Sequence, residues 1–394
     1  MKKFAIVTSH PIQYNAPWFR LLARSGQVRV KVFYTWSQSQ AGSKFDQEFG
    51  KEIEWDIPLL DGYEYTFVKN TSADPGTHHF KGIINPTLNE EIAGWQPDAI
   101  LVFGWSFVSH LRCMRYFHGK VPVLFRGDST LLDERPGINR ILRRSWLKWV
   151  YSHVDYALYV GTHNKVYFLK HGLKEEQLIF APHAIDNDRF SQPDAQYREE
   201  AAVLRKQLNM AEDDLVILFA GKLGQKKNPF FLIELLKMIP DPRVKAVFVG
   251  NGTLEGELKA AASGDPRIRF LDFQNQSHMP GIYRLGDIFI LPSRGPEETW
   301  GLGANEAMAS GCAVMLSEKV GGAVDLVKEG KNGIVFRVGD LQKCSDWVAQ
   351  LAADRQQLDA MKNGSRSWID SFSFDRIVKA IEKFMADVPQ KQHI

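Results

Sequence analysis

The sequence predicts an α/β protein built from two Rossmann-like layers, each a parallel sheet covered by helices. Three observations carry this. Short apolar runs alternate with helix-period segments along both halves of the chain. The runs are continuous rather than alternating, as strands buried on both faces are. A length of 394 residues also exceeds what one hydrophobic core usually supports, so two domains follow.

In the first half the runs fall at residues 4–9, 28–34, 99–104, 121–125 and 156–160. In the second half they fall at 215–220, 245–250, 268–273, 287–292, 313–317 and 333–337. Between them, Asp186-Asn-Asp-Arg-Phe-Ser-Gln-Pro193 is polar and irregular and leads into a charged helix at 197–208. This divides the chain into domains at 1–190 and 191–373. The last segment, 374–388, carries Ile377, Ile381, Phe384 and Met385 at helical spacing and is expected to pack back on the first domain. Residues 38–70 are less regular and rich in Phe45, Phe49, Trp55, Asp56 and other aromatic and acidic residues. They read as an insertion near a cleft.

The formal net charge of +3, with 44% hydrophobic and 24% charged residues, is ordinary and gives no argument for a nucleic-acid partner. The three cysteines, Cys113, Cys312 and Cys344, are far apart and form no zinc or disulfide pattern, which fits a reducing cytoplasm. No apolar stretch approaches the ~18 residues of a membrane span. The run after Met-Lys-Lys is too short for a signal sequence and reads as the first strand.

In open parallel sheets ligands bind beyond the carboxyl ends of the strands. That rule selects His10 and Gln13, Trp105 and Ser106, Arg126 and Asp128, and Thr162 and His163 in the first half. In the second it selects Gly221 and Lys222, the Gly250 to Gly252 turn, and the block from Glu298 to Glu306. Two such domains with facing carboxyl ends make an interdomain cleft.

The block Glu298-Thr-Trp-Gly-Leu-Gly-Ala-Asn-Glu306 is the most specific of these. It follows an apolar strand and opens a helix, an arrangement that points N–H groups at an anion. Its glutamates would repel phosphate but suit the hydroxyls of ribose and sugar. As a helix the block would span about 12 Å, more than the ~5 Å that a retaining glycosidase pair requires. Ala220-Gly-Lys-Leu-Gly-Gln-Lys-Lys-Asn-Pro229 supplies Lys222 and Lys227 as charges for a diphosphate, with Lys226 a bystander. It lacks the Gly-Lys-Ser/Thr ending of a Walker loop. Asp186-Asn-Asp188 reads as linker, and His78-His79 lacks a ligand-like context.

The second half resembles the retaining glycosyltransferases of family four, which have the GT-B fold. The resemblance rests on Gly221-Lys-Leu with Lys227, Val249-Gly-Asn-Gly252, Leu285-Gly-Asp-Ile-Phe-Ile-Leu-Pro-Ser293, Glu298 with Glu306, Val320-Gly-Gly322 and Gly330-Lys-Asn-Gly-Ile-Val335. It implies two Rossmann-like domains facing a cleft, the first on the acceptor side and the second binding a nucleoside-diphosphate sugar. Glu306 would hold ribose hydroxyls and Glu298 hydroxyls of the transferred sugar. The backbone of Gly301, Leu302 and Gly303 would contact sugar and diphosphate. Lys222 and Lys227 would stabilise the leaving diphosphate, the glycine turns at Gly221, Gly250 and Gly252 would approach the donor, and the base would lie near Phe273. Transfer would proceed with retention, without a metal or other cofactor, to a glycan, lipid-linked or small-molecule acceptor in cell-surface polysaccharide or glycoconjugate synthesis.

The first half departs from the pattern. Its first loop, Ser9-His-Pro-Ile-Gln-Tyr-Asn15, lacks the usual glycines, with Asn15 expected as a helix cap and His10 facing the cleft. Phe125-Arg-Gly-Asp-Ser129 stands where relatives often carry a histidine, so Asp128 is the candidate for its polar role. Rival readings are a nucleotide-sugar 2-epimerase of similar architecture and a non-catalytic nucleotide-sugar-binding protein. Residues 135–150 are basic and tryptophan-rich. They form either a helix whose apolar face packs on the sheet or a contact with the inner face of a membrane.

Overall fold

The computed structural model describes residues 1–37, 44–46, 51–53, 56–134 and 136–389. Part of the insertion read at 38–70, including Phe49 and Trp55, lies outside the described residues, as does Arg135. The chain forms two compact units: Met1–Lys44 with Ile57–Pro182 and Phe374–Ile394, and His183–Ser373 with Phe45–Asp56. The division falls at Pro182 rather than at 190, because Asp186 caps the helix Asn187–Ser191 of the second unit by accepting from the Arg189 N–H. The expected linker is thus a folded corner. Arg189 extends it by donating to Gln276.

In the second unit, all six predicted runs form one parallel sheet. Its order across the sheet is Ile268–Leu271, Val244–Val249, Leu215–Ala220, Ile288–Leu291, Ala313–Ser317 and Gly333–Phe336. The central strands are buried along their whole length, as their unbroken Val, Ile, Leu and Phe require. The strand order reverses between Leu215–Ala220 and Ile288–Leu291, which pair directly. Doubly wound sheets open their ligand crevice at such a switch point. One buried ion cluster fixes the opposite end of the sheet. There the Asp287 carboxylate binds Lys362 at 2.7 Å and Arg205 at 3.0 Å and accepts the Val216 N–H.

The first unit's sheet has seven parallel strands, two more than the sequence suggested. In order they are Glu64–Phe67, Val28–Tyr34, Lys2–Thr8, Ala99–Phe103, Val123–Arg126, Tyr156–Tyr159 and Leu178–Phe180. The unforeseen pair are the two edges. They are short and only partly buried, so neither needs a continuous apolar run. The helix Phe374–Asp387 packs on Ala16–Arg24 and Leu178–Phe180, burying Ile377, Val378, Ile381 and Met385. Its last carbonyls accept from Lys2 Nζ at 2.7 and 2.8 Å, a cation placed where the helix dipole favours one.

Candidate functional site

The predicted residues of the second unit gather at the switch point. Two loops leave the reversing strands there, one carrying Lys222 and Lys227, the other Glu298 and the helix Leu302–Ala309. Three bonds hold the loops together: Arg294 N–H to Lys226 O at 3.0 Å, Asn228 Nδ2 to Pro292 O at 3.2 Å, and Lys226 Nζ to Glu297 O at 2.7 Å. Lys226 is therefore a staple. Asn228 and Glu297 both take positive φ, 53° and 69°, which non-glycine residues seldom adopt.

Lys227 and Glu298 form an ion pair across this seam, with Nζ 2.6 Å from Oε2. Ser293 donates its hydroxyl to the same oxygen at 2.9 Å. The sequence reading gave lysine to phosphate and glutamate to sugar as separate duties; the structure joins the two side chains. Glu298 is buried and Lys227 half-buried, so the pair is only partly screened by water.

Gly301 sits at the N-cap of the helix with φ 92°. A Cβ there would meet Val320 Cγ1 at 2.7 Å and Leu291 Cδ2 at 2.9 Å, so any other residue would be strained and would push these methyls aside. A glycine cap brings no side chain to occupy the leading N–H groups, which keeps that helix end suited to an anion. The preceding backbone is clamped by Gly321 N–H to Glu298 O at 2.8 Å and Gly322 N–H to Trp300 O at 2.9 Å. A Cβ on Gly321 would overlap the Thr299 carbonyl. The Val320-Gly-Gly322 motif is thus a wall supporting the loop.

Glu306 lies in the second turn, beyond the reach of the helix-end charge, so dipole preference does not explain it. It is buried, and the Tyr283 hydroxyl donates to its Oε2 at 2.8 Å. Gly303 leaves room for that hydroxyl, since a Cβ would come within 3.3 Å of it. Beside it, Trp300 Nε1 donates to Asn305 Oδ1 at 2.9 Å, and Asn305 donates to the His183 carbonyl at 3.2 Å.

The glycine turns have a packing reason of their own. The loops after Leu215–Ala220 and Val244–Val249 lie backbone on backbone, with Leu223 N–H bonded to Asn251 O and Leu254 N–H to Leu223 O. A Cβ on Gly250 would overlap the Gly221 carbonyl, and one on Gly252 would reach Leu223 N at 2.7 Å. Gly221 itself has φ 151°. Next along, the buried Asn251 accepts the Phe273 N–H at 2.9 Å and donates to Glu255 and Asp272. The Phe273 amide is therefore already engaged.

Sequence reasoning missed Ser293, Tyr283, Asn305 and Asn251. Asn251, Ser293 and Asn305 stand inside the motifs but none was singled out there, and Tyr283 lies outside them; each one's role exists only through what it touches.

His10 and Asp128 lie in the first unit. His10 Nδ1 is 2.9 Å from Ser9 Oγ, and its ring stands edge-on to Trp36 at 5.3 Å. Asn15 occupies the cap position of Ala16–Arg24 but makes no capping bond; its Oδ1 accepts from Trp18 Nε1 at 3.4 Å instead. Arg126 belongs to its strand, buried, donating to the Ala181 and Pro182 carbonyls at 2.8 and 3.0 Å. Burial pulls its pKa down to about 10, against the favourable charge of Asp128. Among the described residues one group has metal-ligand spacing, and it includes the histidines that lacked context in the sequence. His78 and His79 each place Nε2 3.2 Å from Asp74 Oδ2, in an exposed loop of the first unit.

Residues 201–368 match the family of glycosyl transferases group 1. The matched segment holds every second-unit site residue named above except His183. Sulfoquinovosyl transferase SQD2 of Arabidopsis thaliana is 25% identical over 309 residues, 74% of this chain and 57% of that protein. D-inositol 3-phosphate glycosyltransferase of Geodermatophilus obscurus is 28% identical over 225 residues, 54% of this chain and 47% of that enzyme. The matches thus span about half the length of these relatives. Among solved structures, Anabaena HepE in complex with UDP has a TM-score of 0.73 at 18% identity, covering 98% of this chain and 100% of its own. Sucrose-phosphate synthase from Thermosynechococcus elongatus has a TM-score of 0.70 at 16% identity, covering 98% of both chains. These likenesses show the fold: GT-B, two parallel-sheet Rossmann-like domains.

Proposed function

We propose that this chain is a retaining glycosyltransferase that moves a sugar from a nucleoside-diphosphate sugar to a glycan, lipid-linked or small-molecule acceptor. The observation that carries the reading is the Lys227–Glu298 pair at the strand-order reversal, beside a glycine-capped helix end.

Cleaving a glycosyl–phosphate bond leaves charge on the diphosphate, and fixed cations and amides aimed at that charge lower the barrier. Lys222, Lys227 and the leading N–H groups of Leu302–Ala309 supply them from this chain's own residues, without calling on a metal. An arriving diphosphate competes with Glu298 for the Lys227 ammonium. Each phosphate contact that Lys227 gains releases a carboxylate oxygen, which then accepts a hydroxyl of the transferred sugar. Glu306, held by Tyr283, accepts the ribose hydroxyls. The family model and the UDP complex of the HepE structure support this reading.

The test is donor turnover. With purified protein, release of free nucleoside diphosphate only when an acceptor is present supports transfer. Conversion of the donor sugar without an acceptor would mean epimerisation. Donor binding without turnover across a broad acceptor screen would mean a binding protein.

A further inference from the structure

The helix Ile138–Tyr151 of the first unit is apolar on both faces. Leu147, Val150 and Tyr151 turn inward and are buried. The opposite face presents Ile138, Ile141, Leu142, Trp146 and Trp149, spaced i, i+3, i+4, i+8 and i+11, a continuous outward stripe. Ile138, Ile141 and Leu142 are 74%, 61% and 64% exposed. Trp146 and Trp149 are 41% and 39% exposed, with their rings 4.7 Å apart. A helix that only packed on the sheet would turn polar residues outward here. Single exposed apolar residues are ordinary; five in one stripe mark a contact surface.

Charge selects the occupant. The 14 residues contain no Asp or Glu and four cations. Arg144 is paired with Glu134 and Arg140 is half-buried, but Arg143 and Lys148 are exposed on the two flanks of the stripe. On the neighbouring helix Val108–Phe117, the exposed Arg115 guanidinium lies 5.4 Å from the Trp149 ring. Aliphatic tips, paired tryptophans and flanking Arg and Lys are what an interfacial helix lays into an anionic bilayer. Among the described residues no helix is long and apolar enough to cross a membrane, so the contact is peripheral.

We infer that this face docks the protein on an anionic lipid surface, with the stripe in the acyl boundary and Arg143, Lys148 and Arg115 at the headgroups. The inference stands whether or not the transferase reading does, because its test needs no turnover.

The full chain is spun with phosphatidylcholine vesicles, with and without phosphatidylglycerol. Sedimentation with the anionic vesicles alone, weakening as salt rises, is the expected result. Leu142→Asp with Ile141→Asp should abolish it, and both sites are exposed enough to leave the circular dichroism and melting unchanged. Arg143→Gln and Lys148→Gln should each weaken binding roughly fivefold. Three outcomes overturn the inference: no binding to anionic vesicles, equal binding to neutral ones, or binding untouched by the double variant. Light scattering covers the other occupant. A wild-type dimer that the double variant splits, without vesicle binding, assigns the stripe to a second copy of the chain.

Discussion

The two units share one sheet plan and use it differently. In the second, side chains from two loops converge on the switch point and bond to one another: Lys227 to Glu298, Ser293 to Glu298, Tyr283 to Glu306. In the first, the buried polar groups serve the frame. Arg126 ties a strand to the Ala181 and Pro182 carbonyls. His110 donates from Nδ1 to the Phe103 carbonyl, leaving Nε2 to accept from the Thr35 hydroxyl. The polarity of the first unit is spent on holding loops, and its unusual surface is an apolar one. The same fold thus gathers a candidate site where charged residues meet at the reversal, and a bonded frame where they do not.

The two frames should also break separately. Asp287 is held ionised by Lys362, Arg205 and the Val216 amide, which outweigh the burial that opposes its charge. Replacing it with alanine strands two cations and should destabilise the second unit by about 3–5 kcal/mol. Amide exchange should accelerate along Leu215–Ala220 and stay unchanged along Lys2–Thr8. Equal loosening of both strands would mean the units do not have separate stabilities.

Acid should reverse that order. Burial pulls the His110 pKa from 6.5 down to about 4, outweighing its bonds to the Phe103 and Gly104 carbonyls. The unfolded chain takes up this proton below pH 6.5 and the folded one does not until about 4. The neutral ring therefore contributes in full above pH 6.5, and about 3 kcal/mol is lost as pH falls to 4. The Asp287 carboxyl has its folded pKa lowered, so its contribution is present above the ordinary carboxylate range and is lost only as pH falls below it. Exchange measured at pH 5 should show the first unit loosened while the second holds, and His110→Gln should flatten that dependence.

Next in size come the site substitutions. Glu298→Ala should lower turnover on the order of 100-fold, in line with the removal of one preorganised group. Glu306→Ala should weaken donor binding roughly tenfold while leaving saturated turnover closer to normal, the loss expected of a charged hydrogen-bond acceptor. Calorimetry with nucleoside diphosphates and steady-state kinetics separate the two. Wild-type affinity and turnover in both variants would remove the site from the second unit. The smallest effect is expected of His10→Ala. If the first unit contributes only acceptor positioning, this change should raise the acceptor KM a few-fold and leave donor affinity untouched. A loss of turnover as large as that of Glu298→Ala would give the first unit a share of the chemistry and weaken the contrast between the two.

Legibility in the sequence followed burial. The second sheet could be read because its strands are mostly apolar and its central ones are buried along nearly their whole length, even though Lys245 and Arg269 interrupt two of them. The edge strands Glu64–Phe67 and Leu178–Phe180 could not, since a half-buried edge leaves little pattern. Lys222, Lys227 and Glu298 were legible as charges on loops that follow buried strands, and Glu306 as the far end of the block that Glu298 opens. Gly250 and Gly252 were legible as glycines but not as packing residues, because the Gly221 and Leu223 backbone they approach lies about thirty positions away.

By itself, the sequence determined two parallel α/β layers, the identity of the charged residues at the strand ends and the basic, tryptophan-rich stretch near 140. These depend on local period and composition, which a chain displays without folding. Only the tertiary structure decided that Lys227 and Glu298 pair, that Tyr283 serves Glu306, and that Ile138, Ile141 and Leu142 face away from the core. Those facts depend on which strand lies beside which and on which way a helix is turned. Both are set by the packing of distant residues, and no local pattern records them.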